Sequence, residues 1–399
     1  MRPAGDGLQG LPHPPNAWTE HRKQPGGTGM TTTQTAPTTT DQHATPPVDI
    51  DPDKVMSFVF QAVDEVGATL NAALVVMGDK LGYYRALADL GPTTPGELAD
   101  RTDTDAHYAR EWLNAQAAGG FVTYDPDGER YSLPAEHAVA LADETSPAFL
   151  PGLFQLALGT VSDSSAAIGA ARRGDGIGWH QHNTDVHVGC ERFFRPGYLA
   201  NLVSTWLPAL DGVVAKLERG VRVADIGCGH GASTIVMAQA FPNSIFLGSD
   251  YHPESIEIAR ARTAAAGLDG SVTYEVAPAG GFSGSGYELV TTFDALHDMG
   301  DPVGAARHVR DVIAPDGTWL LVEPAAGDHV QDNLNPVGRV YYGFSTLLCT
   351  PASLSQEVGL ALGTQAGPAR LRDVAIAAGF TRFRIAAQTP FNIVLEIRP

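Results

Sequence analysis

Residues 221–234 read Val-Arg-Val-Ala-Asp-Ile-Gly-Cys-Gly-His-Gly-Ala-Ser-Thr, and this stretch decides the fold of the chain. Apolar or β-branched side chains at 221, 223, 224 and 226 predict a buried parallel strand. Glycines at 227, 229 and 231 let the backbone adopt positive φ and let a ligand approach without a Cβ in the way. A helix-like segment, residues 233–240, follows at once, and free N–H groups at a helix start favour a negative or polar ligand group.

The spacing of these glycines separates three kinds of nucleotide-binding turn. A dinucleotide fingerprint has its third glycine at relative position six, whereas the third glycine here stands at position five and Ala232 follows it. Since alanine is allowed there in some dinucleotide-binding proteins, a nicotinamide-dependent oxidoreductase stays open as an alternative. A Walker phosphate loop is excluded because it requires Gly-Lys-Ser/Thr and no lysine is present. An ordinary glycine-rich turn is the remaining alternative.

The order of the segments downstream decides between these alternatives. Four stretches have strand character, at 244–250, 272–276, 287–293 and 318–323. The chain then closes with a helix at 370–378 and two strands joined by a short turn, at 381–386 and 392–398. Asp250 ends the second strand, where a carboxylate can accept hydrogen bonds from both ribose hydroxyls. From about Arg195 onward, this order and the Asp-x-Gly-x-Gly-x-Gly turn resemble the class I S-adenosylmethionine-dependent methyltransferases. The resemblance implies an α/β, Rossmann-like seven-stranded sheet with an antiparallel last strand, whereas a dehydrogenase would continue with parallel βα units.

The resemblance also implies which residues form the site, at the carboxyl ends of the strands. Residues 295–302, Ala-Leu-His-Asp-Met-Gly-Asp-Pro, resemble the Leu-His-Asp-Trp-x-Asp segment of plant-type O-methyltransferases, whose histidine is the general base. That match gives the catalytic role to His297, oriented by Glu323, and an imidazole titrates near neutral pH. A pocket-wall role without proton transfer is the alternative for His297. The candidate residues for binding S-adenosyl-L-methionine are Asp225, Gly227, Cys228, Gly229, Gly231, Asp250, Tyr251, Phe293, Asp294, Phe193 and Tyr198.

Two positions depart from the pattern of that family. An acid that contacts the adenine usually follows the third strand, and the aligned position here holds Pro278. Residues 367–370 also lack the acid that plant-type enzymes carry nearby, so a strict three-residue catalytic set is not predicted. Between the fifth strand, 318–323, and the helix at 370–378 lies an insertion, residues 328–368, with a run of aromatic and apolar side chains. It suits an apolar lid over an aromatic or polyketide-like substrate, or a dimer contact.

Residues 51–145 predict a winged-helix domain. Helical periodicity over 55–77, helices at 80–90, 94 onward and 104–118, and a hairpin with an Asp-Gly turn give its pattern. Thr94 and Glu97 are expected to form a capping box at the start of the third helix. From Asp79 to Leu133 there are five Lys/Arg and ten Asp/Glu, and a DNA-binding surface needs cations to contact phosphates. The charge argues against DNA binding, and an S-adenosylmethionine-binding transcription regulator stays as an alternative. Similar domains pair subunits in small-molecule O-methyltransferases, so segment 55–77 predicts a homodimer, with an intramolecular core helix as the alternative.

Composition limits the partners of the chain. A net charge of −19 repels nucleic acid and acidic membrane surfaces, and no apolar run reaches the ~20 residues of a membrane helix. Three widely spaced cysteines indicate reduced thiols in a cytoplasmic protein.

Residues 1–50 are rich in Pro, Thr and Gly, lack a signal-peptide apolar region, and predict a disordered tail in which Met30 is an alternative start.

The remaining segment, residues 146–195, predicts a helical linker and a substrate loop ahead of a catalytic domain at 196–399. Its apolar stretch 150–171 predicts one helix, and residues 191–198 are expected to open the next helix after the loop. Three histidines within this loop, His180, His182 and His187, have the density of a zinc site. No matching cysteine or carboxylate pattern follows, and the methyltransferase class that the chain resembles generally needs no metal, so no metal is predicted. The sequence thus predicts an S-adenosylmethionine-dependent methyltransferase that acts on a small molecule, by O-methylation of a phenolic or natural-product-like acceptor.

Overall fold

A computed structural model describes residues 50–399 of the chain. The predicted disordered tail, apart from Ile50, and the alternative start at Met30 lie outside the described residues. Contacts divide the chain into two units, residues 1–56 and 57–399. Of the first unit only residues 50–56 are described, and they include the first turn of the first helix, Pro52–Leu81.

The predicted winged helix is confirmed. Its capping box is also as predicted, since the Thr94 side chain accepts from the Glu97 N–H and the Glu97 carboxylate accepts from the Thr94 N–H. The predicted helix start at Lys80 is wrong, because Lys80 belongs to the preceding helix and Gly82 separates the two with a left-handed φ of 74°. The elements are α1 Pro52–Leu81, α2 Tyr83–Leu90, α3 Pro95–Thr102, α4 Ala106–Ala118, β1 Thr123–Asp125, β2 Arg130–Ser132 and α5 Ala135–Leu141.

Helix α1 departs from the expectation that no apolar run in the chain is long enough for a membrane helix. It is the one helix among the described residues that is long and apolar enough to cross a membrane by length and composition, although acidic side chains interrupt it at Asp64 and Glu65. Only 6% of its most apolar stretch is buried. The helix therefore presents an apolar face that the described part of the chain leaves uncovered.

Four helices connect the winged helix to the sheet: α6 Pro151–Ser162, α7 Ser164–Arg173, α8 Thr184–Asn201 and α9 Val213–Arg219. The single helix predicted over 150–171 is two helices, broken at Asp163. Helix α8 begins earlier than predicted because the Asn183 side chain accepts from the N–H of Asp185 and caps it. His187, expected in a loop, is therefore helical.

A seven-stranded sheet forms the second half of the chain, as predicted. Its strands, in chain order, are β3 Arg222–Ile226, β4 Ile245–Asp250, β5 Val272–Val276, β6 Tyr287–Phe293, β7 Ile313–Pro324, β8 Arg382–Gln388 and β9 Asn392–Arg398. They lie in the order β5-β4-β3-β6-β7-β9-β8, with β9 antiparallel to both of its neighbours. Its helices are α10 Ala232–Ala240, α11 Pro253–Ala265, α12 Pro302–Val312 and α15 Gly367–Ala377. Apolar side chains are buried on both faces of the sheet, as the near-continuous apolar strands require.

The inserted segment between β7 and α15 contacts the loop that follows β6. It comprises α13 Pro336–Phe344, a π turn at Ser345–Cys349 and α14 Thr350–Leu354. The Ser353 hydroxyl donates to the carbonyl of Met299 at 2.8 Å, and the Gln356 amide donates to the carbonyl of Asp298 at 3.1 Å. We refer to residues 336–357 as the lid segment. These contacts place it against the carboxyl ends of the strands, where ligands bind in open α/β sheets.

Candidate active site

Asp225, at the end of β3, holds the glycine turn in place from inside the sheet. Its carboxylate accepts hydrogen bonds from the hydroxyls of Ser233 at 2.7 Å, Thr234 at 2.5 Å and Thr291 at 2.8 Å. Burial raises the pKa of this carboxyl, while the three hydroxyls lower it. Asp225 therefore joins β3, α10 and β6 from a position 1% exposed, and it lies outside the wall of the cavity described below.

The three turn glycines all adopt positive φ, at 73°, 51° and 77° for Gly227, Gly229 and Gly231. Cys228, between the first two, is buried, and burial raises the pKa of its thiol well above the usual range, so it is a neutral small residue there. Two of the glycines differ in the space around them. A Cβ on Gly231 would lie 2.5 Å from the hydroxyl of Tyr274, whereas one on Gly229 would meet nothing within 4 Å.

The difference between these glycines predicts unequal costs for the same substitution. We expect Gly231→Ala to lower the free energy of unfolding by about 3 kcal/mol, from the left-handed backbone and the overlap together. Gly229→Ala adds only the strain of a left-handed backbone at a residue with a Cβ, and it should lower the free energy of unfolding by about 1 kcal/mol. Urea unfolding of both variants checks this, and equal costs would show that the packing around Gly231 is not tight.

Asp250, at the end of β4, stands opposite the glycine turn. Its two carboxylate oxygens accept from the N–H groups of Gly229 and His252, each at 2.9 Å. Burial raises the pKa of Asp250, and these N–H groups lower it. The carboxylate thus fixes the turn and keeps lone pairs that can receive further donors.

A cavity of about 660 Å³ opens beside these groups, within the size range of small-molecule sites. Five carboxylate residues border it and no lysine, arginine or histidine does, among residues 50–399. Residues 277–280, Ala-Pro-Ala-Gly, form one wall where an acid was expected, so that wall offers only apolar and backbone contacts. The sequence-predicted residues on the wall are Gly227, Asp250, Tyr251 and Asp294.

Asp294 follows β6 with a φ of 47°, which is uncommon for a residue other than glycine. One carboxylate oxygen accepts from the Asn392 amide at 2.8 Å, and the other is buried without a hydrogen-bond partner among the described residues. Burial raises the pKa of Asp294 well above the usual range, and Glu323 raises it further. This oxygen is available to a ligand that enters the neighbouring cavity.

His297 and Glu323 form a buried pair, as the resemblance predicted for their positions. The imidazole Nδ1 donates a 2.6 Å hydrogen bond to one carboxylate oxygen of Glu323, and the N–H of Leu296 donates to the other at 2.9 Å. Burial lowers the pKa of His297, but the Glu323 carboxylate outweighs burial and raises this pKa well above the usual value. Both partners are about 5% exposed or less, so the Glu323 carboxylate orients the imidazole and stabilises its charged form.

The remaining sequence-predicted residues are not part of the cavity wall. Tyr198 packs in the core against Phe293, with ring centroids 5.2 Å apart, and Phe193 contacts Phe194. From the preceding segments, Cys190 and Trp179 border the cavity instead. No sequence signal marked these two residues, which precede the aromatic stretch that supplied the candidates Phe193 and Tyr198.

The three histidines of the predicted substrate loop differ in exposure and in the side chains they contact. His180 is exposed, His182 lies 3.0 Å from a carboxylate oxygen of Asp163, and His187 stacks on His252 with centroids 4.9 Å apart. Burial lowers the pKa of His187 to about 4, so it is neutral at pH 7. The one set of metal-ligand side chains that the described residues bring together is elsewhere, at His297, Asp298 and Cys349.

Comparison with known proteins agrees with this architecture. Residues 69–143 match the model of an Rv2258c-like winged HTH domain, and residues 224–319 match that of a methyltransferase domain. The chain is 30% identical to the ubiquinone biosynthesis O-methyltransferase of Bordetella avium over 33% of this chain and 52% of that protein. It is 32% identical to the 27-O-demethylrifamycin SV methyltransferase of Amycolatopsis mediterranei over 28% and 43%. The chain thus spans about half the length of these curated relatives.

A solved structure extends the likeness over most of the chain. Human N-acetylserotonin methyltransferase, in complex with S-adenosylmethionine, superposes with a TM-score of 0.63 at 15% identity, covering 89% of this chain and 99% of that one. At this identity the likeness shows the fold. The chain therefore has the class I S-adenosylmethionine-dependent methyltransferase fold. More particularly, it joins that fold to an N-terminal winged helix, within which residues 69–143 match the Rv2258c-like winged HTH model.

Proposed function

We propose that the protein is an S-adenosylmethionine-dependent methyltransferase that O-methylates a small phenolic or natural-product-like acceptor. The observation that carries the proposal is the cavity at the carboxyl ends of β3, β4 and β6, bordered by the glycine turn, Asp250 and Asp294. Support comes from the methyltransferase-domain match over residues 224–319. The two curated relatives named above are methyltransferases of ubiquinone biosynthesis and of a rifamycin.

The residues around the cavity fit S-adenosylmethionine. Asp250 would accept from the ribose hydroxyls, and the unpartnered oxygen of Asp294 fits the ammonium group of the methionine part. Gly227 allows close approach of the backbone, and Tyr251 borders the same wall. The adenine would lie against Pro278 and its neighbours through apolar and backbone contacts. When bound, the cofactor supplies an electrophilic methyl group, and holding donor and acceptor in line supplies most of the rate.

The acid–base element in this proposal is the His297–Glu323 pair beside the cavity. Phenol and alcohol acceptors are poor nucleophiles until their proton begins to leave, and a positioned base contributes about 10²–10⁴-fold. The lid segment would close the acceptor side of the cavity and exclude water. Free thiols at Cys190, Cys228 and Cys349 support a reducing compartment, so we place the protein in the cytoplasm.

Methyl transfer from radiolabelled S-adenosylmethionine to a panel of phenols tests the activity. The proposal expects labelled product with at least one neutral or cationic phenol, because the carboxylates around the cavity disfavour anionic acceptors. Transfer to no phenol, alcohol or amine in the presence of tight cofactor binding would contradict the enzymatic function and favour a regulatory role.

The apolar face of α1 predicts a homodimer. Phe58, Val63, Val66 and Leu70 are 59–68% exposed within one chain, and a contiguous apolar face of this kind marks an association surface. We expect the wild type to elute in light scattering at twice the 42.0 kDa chain mass. Val66→Asp with Leu70→Asp should give monomers, whereas the matched control Ile168→Asp on α7 should not. A monomeric wild type, or one that sediments with membranes, would contradict a homodimer built on α1.

A further inference from the structure

A second cavity lies at the end of the sheet opposite the proposed cofactor cavity. Its volume is about 350 Å³, within the size range of small-molecule sites, and it forms where α15 ends and β8 begins. Asn392, at the start of β9, bonds to Asp294 in the cofactor cavity, whereas Arg398, at the end of β9, borders the second cavity. The seven-residue strand β9 therefore separates the two cavities by about 20 Å.

Four arginines border this second cavity, which we call the arginine cavity: Arg372, Arg382, Arg384 and Arg398. Two of them are held by Glu396 on β9, which is 3% exposed and forms ion pairs with Arg384 and Arg398. Arg384 also donates to the carbonyl of Ala209 at 2.8 Å and lies 3.5 Å from the exposed carboxylate of Asp211. These contacts fix two guanidinium groups in the wall and neutralise part of their charge.

The other two arginines are exposed and have no such partner. The ion pairs at the cavity involve only Arg384 and Arg398. Arg372 on α15 and Arg382 on β8 therefore have neither an ion pair nor a side-chain hydrogen bond among residues 50–399. A guanidinium carries five N–H donors in a planar fork that fits a carboxylate or a phosphate. The cavity thus keeps an excess of positive charge and unused donors, in a chain whose net charge is −19.

The rest of the wall is mainly apolar. Phe380 is 4% exposed and packs on Trp319 with ring centroids 5.4 Å apart, and Ala375, Ile376 and Phe383 border the cavity beside it. Ile376 is 52% exposed, so it presents apolar surface to a ligand. A ligand that fits this wall has an apolar body and an anionic group that reaches the two unpaired arginines.

We propose that the arginine cavity binds a small anion with an aromatic or other apolar body, such as an aryl carboxylate, through Arg372 and Arg382. The cofactor cavity has the opposite electrostatic character, because five carboxylate residues and no cation border it among residues 50–399, so the same anion is disfavoured there. Binding at the arginine cavity is independent of the proposed methyl transfer. It takes place with or without the cofactor.

The methyl group of Ile376 reports on occupation of the cavity. Full-length protein with ¹³C-labelled isoleucine methyl groups is titrated with 2-naphthoate at pH 7, and Ile376→Val identifies the resonance. We expect a saturable shift with a Kd below about 1 mM, retained in the presence of saturating S-adenosylhomocysteine. The uncharged analogue 2-naphthamide should bind at least about tenfold more weakly, because it cannot form the charge-assisted hydrogen bonds. No shift, equal affinity for the amide, or displacement of 2-naphthoate by S-adenosylhomocysteine overturns the proposal.

Substitution of the unpaired arginines tests which side chains hold the anion. Arg372→Gln with Arg382→Gln should weaken 2-naphthoate binding by about tenfold or more, and each single variant should lose part of the affinity. Arg172→Gln on α7 with Arg307→Gln on α12 is the matched control, since it changes the net charge equally at two exposed arginines that do not border the cavity. The control should bind within about twofold of the wild type, because solvent and salt screen distant charges. Wild-type affinity in the first double variant, or an equal loss in the control, contradicts an anion site at Arg372 and Arg382.

Discussion

Asp250→Ala is expected to weaken S-adenosylmethionine binding by about 100-fold or more. Two hydrogen bonds from ribose hydroxyls to a charged acceptor are worth about 1.5–3 kcal/mol each, and each 1.4 kcal/mol is tenfold in affinity. The substitution also leaves the N–H groups of Gly229 and His252 without their acceptor. Equilibrium dialysis with labelled cofactor measures the loss.

A matched control separates the loss of a ribose contact from a change in charge. Asp269, after α11, is exposed and away from the cavity, so Asp269→Ala should bind the cofactor like the wild type. Asp250→Asn should fall between Asp250→Ala and the wild type, because the amide keeps one acceptor oxygen. Wild-type affinity in Asp250→Ala would remove Asp250 from the cofactor site.

Asp225→Ala is expected to lower the free energy of unfolding by about 3–5 kcal/mol. The substitution deprives three buried hydroxyls of their acceptor at once, and each unsatisfied donor costs about 1–3 kcal/mol. Those hydroxyls belong to α10 and β6, so the loss would loosen the glycine turn from two sides. Urea unfolding monitored by fluorescence gives the midpoint and slope.

Asp225→Asn serves as the control, because it keeps the shape and one acceptor oxygen. It should cost about 1–2 kcal/mol. A cost below about 1 kcal/mol for Asp225→Ala would show that water or rearrangement satisfies the hydroxyls. In that case the predicted direct role of Asp225 in cofactor binding would regain support over the structural role that its contacts indicate.

The sequence predicted the sheet well because local patterns determine it. A few consecutive residues are enough to indicate each of three features: the apolar run into Gly227, the acid at Asp250 and the closing hairpin. Together they indicate β3, the second strand tip and the reversed strand β9. The same holds for the capping box at Thr94, where the two side chains that bond are three positions apart.

Which side chains border the cavity could not be predicted in the same way. The short 3₁₀ turn at Leu296–Asp298 has no regular alternation, so the sequence could not indicate that Asp298 faces inward and His297 does not. The position of Cys349 beside His297 depends on how the lid segment packs against the β6 loop. The packing of Tyr198 against Phe293 depends on how α8 lies against the sheet, which no short run of sequence indicates.

Calorimetric titration of the full-length wild type with S-adenosylmethionine, and with NADH as comparator, tests the central claim most directly. The account predicts binding of S-adenosylmethionine on the order of micromolar, with S-adenosylhomocysteine competing for the same site and no heat from NADH. Saturable binding of NADH with no binding of S-adenosylmethionine would contradict it and restore the oxidoreductase alternative that Ala232 leaves open.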